Sequence, residues 1–274
     1  STFNGFFNNY DGLASGLQPI GVKYDDASRK VVCTLEQDDI MDGLNWLHKW
    51  YQDGIINPDA NVVTDGGKGS IFGSAQGWPA AATTWAFNQG IEKYDLTQVF
   101  GPLYTTETIQ GSMNAISANS KYKTEALKVL QLMNTDSKFR DMCAYGTEGN
   151  YMEYAEDGTV QKLRDDWNWP SYTQGTFFIL STQADGDPDA WNQVKEQNES
   201  AVSSTCLGFA LDVTNIQNEI ANCNTVWDKY KNDLLTGASD PATAVPACIE
   251  ELKAAGLDTV IEEAQKQVDE FFAN

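Results

Sequence analysis

Apolar and polar positions along the chain predict short strands mixed with helices in its first half, and helices alone near its end. Residues 19–24 and 30–34 have β propensity and flank the polar sequence 25–28, which predicts a hairpin. Apolar residues at helical spacing follow, and Thr34 with Gln37 is expected to form the capping box of that helix. Strands that precede and follow helices in this way are typical of an α/β lobe.

The rest of the chain continues the alternation. Runs typical of strands occupy residues 80–87, 99–104, 109–117, 158–163 and 176–181. Helical periodicity covers residues 124–135, 137–144, 214–235 and 258–272, and Asp-Pro pairs at 187–188 and 240–241 are expected to start two further helices. The glycine-rich residues 65–77 predict a loop. The predicted fold class is therefore α/β, with a helical C-terminal layer.

Composition and charge exclude several partners. The chain has 274 residues, 41% of them hydrophobic, and a formal net charge of −21. Such a charge repels phosphate backbones and anionic membrane surfaces, so nucleic acid is excluded as a partner. It also disfavours a strongly anionic ligand unless the site carries local positive charge. No run approaches the roughly 20 apolar residues that span a bilayer.

Catalytic motifs are missing from the sequence. It contains one histidine, His48, which is expected on the polar side of its helix and not as a general base. No GxSxG, HExxH or GxxxxGK[ST] motif occurs. We therefore expect no catalytic residue, no cofactor and no enzyme activity. The odd number of cysteines indicates small buried side chains, with a Cys206–Cys223 bridge left open.

One metal motif provides a weak alternative. Asp185, Asp187, Asp189 and Glu196 match the spacing of ligands in a calcium loop. Ala190 stands where the sharp turn of such a loop needs glycine. The preferred interpretation is a helix that begins at Asp187, without a metal.

The aromatic residues are more informative. Sugar rings have apolar CH faces that stack on aromatic side chains, while their hydroxyl groups bind polar ones. Five aromatic residues lie in loop or strand-end contexts and are candidates for such stacking: Trp78, Trp85, Trp167, Trp169 and Tyr172. Core packing is an equal alternative for Trp85, Trp167 and Trp169. Four tryptophans on helices are expected in the core: Trp46, Trp50, Trp191 and Trp227.

Several consecutive motifs carry a family resemblance. They are GSMNAIS at 111–117, YGTEGNYMEY at 145–154, NESAVSSTCLGFALDVTNIQNEIANC at 198–223 and the ending at 236–271. With the helix at 43–60, they make the chain resemble extracellular solute-binding proteins of family 1. The similar branch is that of the LplA-like lipoproteins, which have an uncharacterised C-terminal domain.

The resemblance implies a partial periplasmic-binding-protein-like fold of type II. Residues 1–144 would be an α/β segment of the second lobe, with the crossover between lobes near 111–117. Residues 145–274 would be the C-terminal domain. The other lobe would be largely missing, and residues 112–145 would then lack packing partners.

The same resemblance places ligand residues at the cleft. Trp85 corresponds to the strand-end aromatic that often stacks on the ligand, and Glu148 and Tyr151 lie in a segment expected at the rim. Phe209 and Asp212 lie near the start of the long C-terminal helix, which borders the cleft in the family.

The function implied is capture of a solute, an oligosaccharide by the aromatic composition, for the membrane permease of a bacterial ABC importer. The protein would be a monomer at the outer face of the cell membrane, held by a lipid anchor. Open alternatives are a binding protein for a peptide or another polar solute and a non-catalytic carbohydrate-binding or structural domain of the cell surface. A carbohydrate-active enzyme is a further rival.

Overall fold

The computed structural model describes residues 3–63, 75–79, 81–82, 85–86, 90–92, 95–164, 166–167, 169 and 171–273. The predicted loop at 65–77 lies largely outside them. The helices, in chain order, are α1 (Asp38–Gln52), α2 (Thr106–Ile109), α3 (Lys123–Thr135), α4 (Ser137–Tyr145), α5 (Ala190–Glu199), α6 (Gln217–Leu235), α7 (Pro241–Ala254) and α8 (Leu257–Phe272). The strands are β1 (Tyr10–Asp11), β2 (Ile20–Lys23), β3 (Val32–Cys33), β4 (Leu103–Tyr104), β5 (Met152–Tyr154), β6 (Val160–Lys162) and β7 (Val202–Ser203).

The chain divides into two compact units, each discontinuous in sequence. Unit 1 contains residues 1–74, 103–109 and 203–274, and unit 2 contains residues 75–102 and 110–202. Strands β4 and β7 pair with each other; β4 begins where the chain first re-enters unit 1, at residue 103, and β7 contains the second re-entry, at residue 203. The predicted domain boundary at residue 144 divides the chain into two continuous segments, and it stays a prediction.

Unit 1 combines a small sheet with long helices. Its three strands are antiparallel in the order β1-β2-β3, and Ile20 pairs with Cys33 as the predicted hairpin requires. Helix α7 begins as predicted, since the Asp240 carboxylate accepts a hydrogen bond of 2.9 Å from the Ala242 N–H. Helices α6, α7 and α8 pack on one another, and α6 and α7 also pack on α1, with Leu44 and Leu252 fully buried in the shared core. Burial of each such leucine stabilises the unit by about 2 kcal/mol.

Unit 2 has a much smaller apolar core. Its buried members are Tyr145, Met152, Val160 and Leu180. Strands β5 and β6 form a hairpin, in which Met152 pairs with Lys162. Helices α3 and α4 confirm the predictions for 124–135 and 137–144. Polar contacts between α4 and residues 171–181 also stabilise this unit.

Apolar side chains of α3 and of the segment before it are exposed. Leu127 is 59% exposed and Met113 is 73% exposed. The expectation that residues 112–145 lack packing partners stays a prediction.

Several predicted strands are wrong. Residues 99–102 and 110–117 form no strand, and residue 109 ends α2. Residues 176–181 also form none, because side chains bind their backbone: Asn134 accepts from the Thr176 N–H, and Asp141 accepts from the Ser181 N–H. Of the predicted strand at 80–87, the described residues 81–82 and 85–86 are helical. Short apolar runs do not separate strand from helix by periodicity alone.

Two predicted helix starts are also wrong. Thr34 and Gln37 form no capping box, since Thr34 donates to the Gln18 carbonyl and Gln37 donates to the Cys33 carbonyl. A 3-10 turn at Thr34–Glu36 precedes α1 and already binds the Gln37 N–H through its backbone. Helix α5 begins at Ala190 because the Asp187 carboxylate closes a turn on the N–H of Asp189.

The helical tryptophans divide into two kinds. Trp227 is buried in the core of unit 1 and Trp191 packs against the core of unit 2, as expected. Trp46 and Trp50 are 57% and 40% exposed, so the expectation of core packing is wrong for them. Their apolar neighbours on α1 follow the helical stripe, but the indoles lie on its exposed side.

The five cysteines are free thiols. A Cys206–Cys223 bridge is therefore not formed. Both of these thiols are buried in unit 1, which agrees with the interpretation of cysteines as small apolar side chains. No described helix has the combination of length and apolar composition that crossing a membrane requires.

Candidate functional site

Helix α4 is the scaffold of the candidate site in unit 2. Its first turn is capped by Asp136, whose carboxylate accepts a hydrogen bond of 2.9 Å from the Phe139 N–H. Two consecutive charged residues of this helix, Arg140 and Asp141, are fully buried. Buried charges need hydrogen-bond partners, and both residues find them in the segment 171–181. Side chains of α4 therefore hold the loop 171–181 in place.

Arg140 binds two backbone carbonyl groups of that loop. Its Nε donates to the Thr176 carbonyl at 3.1 Å and one Nη donates to the Ser171 carbonyl at 2.8 Å. Gly175 permits this approach, because its φ is +72° and an added Cβ would lie 2.7 Å from the Met133 carbonyl oxygen. Burial lowers the pKa of Arg140 from its ordinary value, although the guanidinium remains charged at neutral pH.

Asp141 binds the other end of the loop. Its carboxylate accepts from the backbone N–H and the hydroxyl of Ser181 at 2.9 and 2.7 Å, and from the Tyr154 hydroxyl at 2.9 Å. Burial, and then the bond to Asp141, raise the pKa of Tyr154. The Tyr145 hydroxyl completes the anchor by donating to the Ser181 carbonyl at 2.8 Å.

One cluster of aromatic and polar side chains lies beside α4. We call it the Tyr151 group; its members are Tyr151, Trp167, Arg164, Asn150 and Asp166. The rings of Tyr151 and Trp167 have centroids 5.2 Å apart and are tilted by 55°, and the Trp167 indole N–H donates to the Cys143 carbonyl of α4 at 3.1 Å. The Arg164 guanidinium lies 4.7 Å from the Tyr151 centroid and binds Asp166 and the Asn150 side chain.

Gly146 places the Tyr151 group at the end of α4. Its φ is +92°, and an added Cβ would lie 2.5 Å from the Cβ of Tyr151. Only glycine therefore lets the chain turn out of the helix and bring Tyr151 back against it. Gly146 is the residue that follows the last residue of α4.

A second aromatic cluster of unit 2 is built on Phe177. We call it the Phe177 stack; its members are Phe177, Trp78, Trp85 and Trp191. Phe177 stacks on Trp191 with centroids 4.8 Å apart and an angle of 8°, and on Trp78 at 6.1 Å and 21°. Trp85 meets Trp78 edge-on at 6.2 Å. All four rings are partly buried.

The structure brings together some of the predicted site residues and leaves others apart. Tyr151 and Trp167 meet in the Tyr151 group, and Trp78 and Trp85 meet in the Phe177 stack. Three further predicted residues are exposed in unit 2: Glu148, Trp169 and Tyr172. The remaining two predicted residues, Phe209 and Asp212, belong to unit 1.

Phe209 and Asp212 have structural partners in unit 1. The Phe209 ring is buried and meets Phe271 edge-on at 5.5 Å. Asp212 is exposed and accepts hydrogen bonds from the backbone and the hydroxyl of Thr214. Their roles in ligand binding stay predictions.

Alternatives based on a metal or on the histidine receive no support. Within the described part of the chain, no three His, Cys, Asp or Glu side chains are arranged to hold a metal ion. Asp187 and Asp189 of the weak calcium alternative instead bind Gln193 and Asn192. His48 is half-buried, and its Nδ1 lies 2.8 Å from the Gly237 carbonyl, in a contact between structural elements.

The C-terminal residues match a family model. Residues 205–273 match the model of a domain of unknown function, DUF3502. The predicted resemblance of residues 198–223 to an uncharacterised C-terminal domain is confirmed for the part that the model covers.

One curated protein and the solved structures of another resemble nearly the whole chain. A carbohydrate ABC transporter substrate-binding protein of Streptococcus pneumoniae serotype 4 is 27% identical over 97% of this chain and 57% of its own length. The crystal structure of the N-glycan transport solute binding protein NgtS of Streptococcus pneumoniae, in complex with Man1GlcNAc, matches with a TM-score of 0.82 and 26% identity. This match covers 97% of this chain and 62% of that one. The complex of NgtS with Man5GlcNAc matches with a TM-score of 0.76 and 26% identity, over 97% of this chain and 61% of that one.

These matches confirm the predicted resemblance to solute-binding proteins and the partial periplasmic-binding-protein-like fold. The chain spans less than two thirds of the length of the relatives that it matches. Its helices and its short sheets therefore represent one part of such a fold.

Sequence reasoning missed Arg140 and Phe177, the residues that organise the candidate site. Arg140 is one charged residue on a predicted helix, and surface exposure is the ordinary expectation for arginine. Phe177 lies in a run that predicts a strand, so its ring was assigned to no site. One available signal was Gly175 immediately before this segment, since glycine beside aromatic residues marks a close approach of the backbone.

Proposed function

We propose that this chain is the C-terminal portion of an extracellular solute-binding protein that captures an oligosaccharide for a bacterial ABC importer. The observation that carries the proposal is the Tyr151 group. In it, two partly buried rings lie beside a guanidinium, an amide and a carboxylate. The similarity to a carbohydrate ABC transporter substrate-binding protein supports the same conclusion.

The chemistry of this group suits a sugar. The rings of Tyr151 and Trp167 offer apolar faces for the CH groups of a pyranose. Asn150 offers both donors and acceptors to hydroxyl groups, Arg164 offers donors, and Asp166 offers acceptors. The Trp167 indole is held on α4 by its bond to the Cys143 carbonyl, and the turn at Gly146 positions Tyr151, so little order has to be gained on binding.

The proposed ligand is an oligosaccharide that contains mannose and N-acetylglucosamine. The solved complexes of NgtS, with Man1GlcNAc and Man5GlcNAc, motivate this choice. Trp169 and Tyr172 follow Trp167 in the chain, and both are exposed in unit 2. We assign them, with Glu148, to the surface that a longer ligand contacts.

The proposed mechanism is capture without bond making or breaking. The ligand is bound reversibly at the outer face of the membrane and delivered to the permease subunits of the importer. A monomer held by a lipid anchor fits this role. The relatives are substrate-binding proteins, which supports a binding function rather than catalysis.

Calorimetric titration of the protein tests this function. The ligands are Man5GlcNAc and Man1GlcNAc, with a glucose oligosaccharide of similar length and a neutral pentapeptide as comparators. We expect saturable binding of the mannose ligands and at least tenfold weaker binding of both comparators, a difference of about 1.4 kcal/mol. Tight binding of the peptide, or no binding of any saccharide, would contradict the proposal.

A further inference from the structure

Three buried N–H groups around the Phe177 stack have no acceptor among the described residues. They belong to Arg140, which has one unpaired Nη, and to the indoles of Trp78 and Trp191. The Arg140 guanidinium carbon lies 5.9 Å from the Phe177 centroid, and the indole rings stack on Phe177 at 6.1 and 4.8 Å. Each buried donor without an acceptor is destabilising by about 1–3 kcal/mol, so three around one ring require an explanation.

The chemistry of these groups is one-sided. A guanidinium and an indole only donate hydrogen bonds, so the matching ligand group has to accept them. A carboxylate accepts at both oxygens and donates nothing, whereas each sugar hydroxyl also brings a hydrogen that needs an acceptor.

The charge of Arg140 also favours a carboxylate as the ligand group. Arg140 is fully buried, and no carboxylate of the described residues forms an ion pair with it. Both oxygens of its neighbour Asp141 are bound to Ser181 and Tyr154. A buried cation favours an anionic partner, and the guanidinium binds carboxylates in a charge-assisted geometry.

We propose that the Phe177 stack and Arg140 form a subsite for the carboxylate of an acidic sugar unit. The inference rests on the proposed capture of an oligosaccharide and names a chemical feature of its ligand. The net charge of −21 repels anions, so an acidic sugar requires local positive charge of this kind. The rings of Phe177, Trp78 and Trp191 are only partly buried, and the Arg140 guanidinium carbon lies 5.9 Å from the Phe177 centroid, so we place the entry of the carboxylate beside the Phe177 ring.

Three matched ligands test the subsite by calorimetry on the protein. They are a mannose oligosaccharide that carries one uronic acid residue, its carboxamide, and the neutral parent without that residue. Because charge-assisted bonds are stronger than neutral ones, we expect the acid to bind about tenfold or more tightly than the carboxamide.

Variants locate the carboxylate. Trp191→Phe and Trp78→Phe keep a ring in the stack and remove one donor, so each is expected to reduce the preference for the acid about threefold or more. Arg140→Lys keeps the charge but loses the planar fork, and it should nearly abolish the preference. Trp46→Phe, on the exposed face of α1, is the control and should leave the preference unchanged.

The outcomes separate this inference from the proposed function. Equal binding of acid and carboxamide, with the neutral parent also bound, overturns the subsite and leaves oligosaccharide capture intact. A preference for the acid that survives Trp191→Phe, Trp78→Phe and Arg140→Lys also overturns the subsite. No binding of any of the three ligands contradicts both. If Arg140→Lys fails to fold, the two tryptophan variants and the carboxamide decide the question.

Discussion

Unit 1 and unit 2 are stabilised in different ways. In unit 1, helices α6, α7 and α8 bury a continuous apolar core together with α1 and the sheet. In unit 2, the apolar cluster of the described residues has four buried members, and the loop 171–181 is held by Arg140 and Asp141 of α4. Apolar burial is tolerant of detail, whereas a buried polar anchor depends on each partner. Both proposed binding clusters, the Tyr151 group and the Phe177 stack, lie in the unit that depends on such polar anchors.

Aromatic rings that reach solvent in the two units show the same contrast. Trp46 and Trp50 of unit 1 line a shallow groove of about 310 Å³ with apolar neighbours, among them Phe3 and Phe6. The rings of the Tyr151 group lie beside an amide, a guanidinium and a carboxylate. A sugar requires both apolar faces and polar partners, so exposure of a tryptophan alone does not identify a site.

The largest expected effect is loss of a core leucine in unit 1. Leu252→Ala removes a fully buried side chain of α7 and should lower the free energy of unfolding by about 2–5 kcal/mol. The matched change Leu127→Ala on α3, where the side chain is 59% exposed, should cost less than about 0.5 kcal/mol. Urea denaturation measures both, and equal effects would show that the apolar cores do not differ as described.

Loss of the polar anchor at Asp141 in unit 2 should have the next largest effect on the free energy of unfolding. Asp141→Ala leaves Ser181 and Tyr154 without their acceptor and should cost about 3 kcal/mol. Hydrogen exchange should increase in residues 171–181 and stay unchanged in α7. The control Asp157→Ala removes an exposed turn contact to Thr159 and should change neither region. Unchanged exchange at Ser181 in Asp141→Ala would rule out the anchor.

Equivalent helix caps allow a direct comparison of the units. Asp240 caps α7 in unit 1 and Asp136 caps α4 in unit 2, each through one backbone N–H. Alanine at either position should cost about 1 kcal/mol. Only Asp136→Ala should also weaken binding of the oligosaccharide, because α4 supports the site. Calorimetry on both variants checks this, and equal losses of affinity would contradict a special role for α4.

The smallest effect concerns alkaline pH and the thiols. Burial raises the pKa of Cys223 to about 11 and that of Cys248 to about 12, from an ordinary value of 9.0. The folded protein therefore holds these protons longer than the unfolded chain, and the stability is complete below pH 9 and declines as pH rises toward the folded pKa.

Cys248→Ala should reduce this alkaline decline, by less than about 1 kcal/mol at pH 9.5. Cys143→Ala, at the partly buried thiol of unit 2, should reduce it by a smaller amount. Denaturation at pH 8 and pH 9.5 measures the difference for each variant. An identical decline in the native protein and in Cys248→Ala would exclude the thiol as its source.

The sequence predicted the helical C-terminal part well because its signals are local. The stripe that includes Ile220, Trp227 and Leu234, and the Asp240-Pro241 start, are decided by residues within one or two turns. The strand predicted at 176–181 failed because Asp141 and Asn134, which are distant in sequence, bind its backbone. A periodic pattern does not record such partners.

Contacts between residues distant in sequence also explain why only part of the candidate site was predicted. Trp167 was identified by residue type and loop context, and Tyr151 by the family resemblance of its segment. Their contact depends on the turn at Gly146 and on a carbonyl of α4, which only the fold brings into place. Arg140 was missed because its burial depends on carbonyl groups more than 30 residues away.

The measurement that tests the central claim most directly is calorimetric titration of Man5GlcNAc into two matched variants. Trp167→Ala removes a ring of the Tyr151 group, and Trp46→Ala removes an exposed indole of unit 1. We expect Trp167→Ala to weaken binding by about fivefold or more, since a stacked aromatic is worth about 1 kcal/mol or more, and Trp46→Ala to leave the affinity unchanged. Unchanged affinity in Trp167→Ala, or a loss in Trp46→Ala alone, would contradict the assignment of ligand recognition to unit 2.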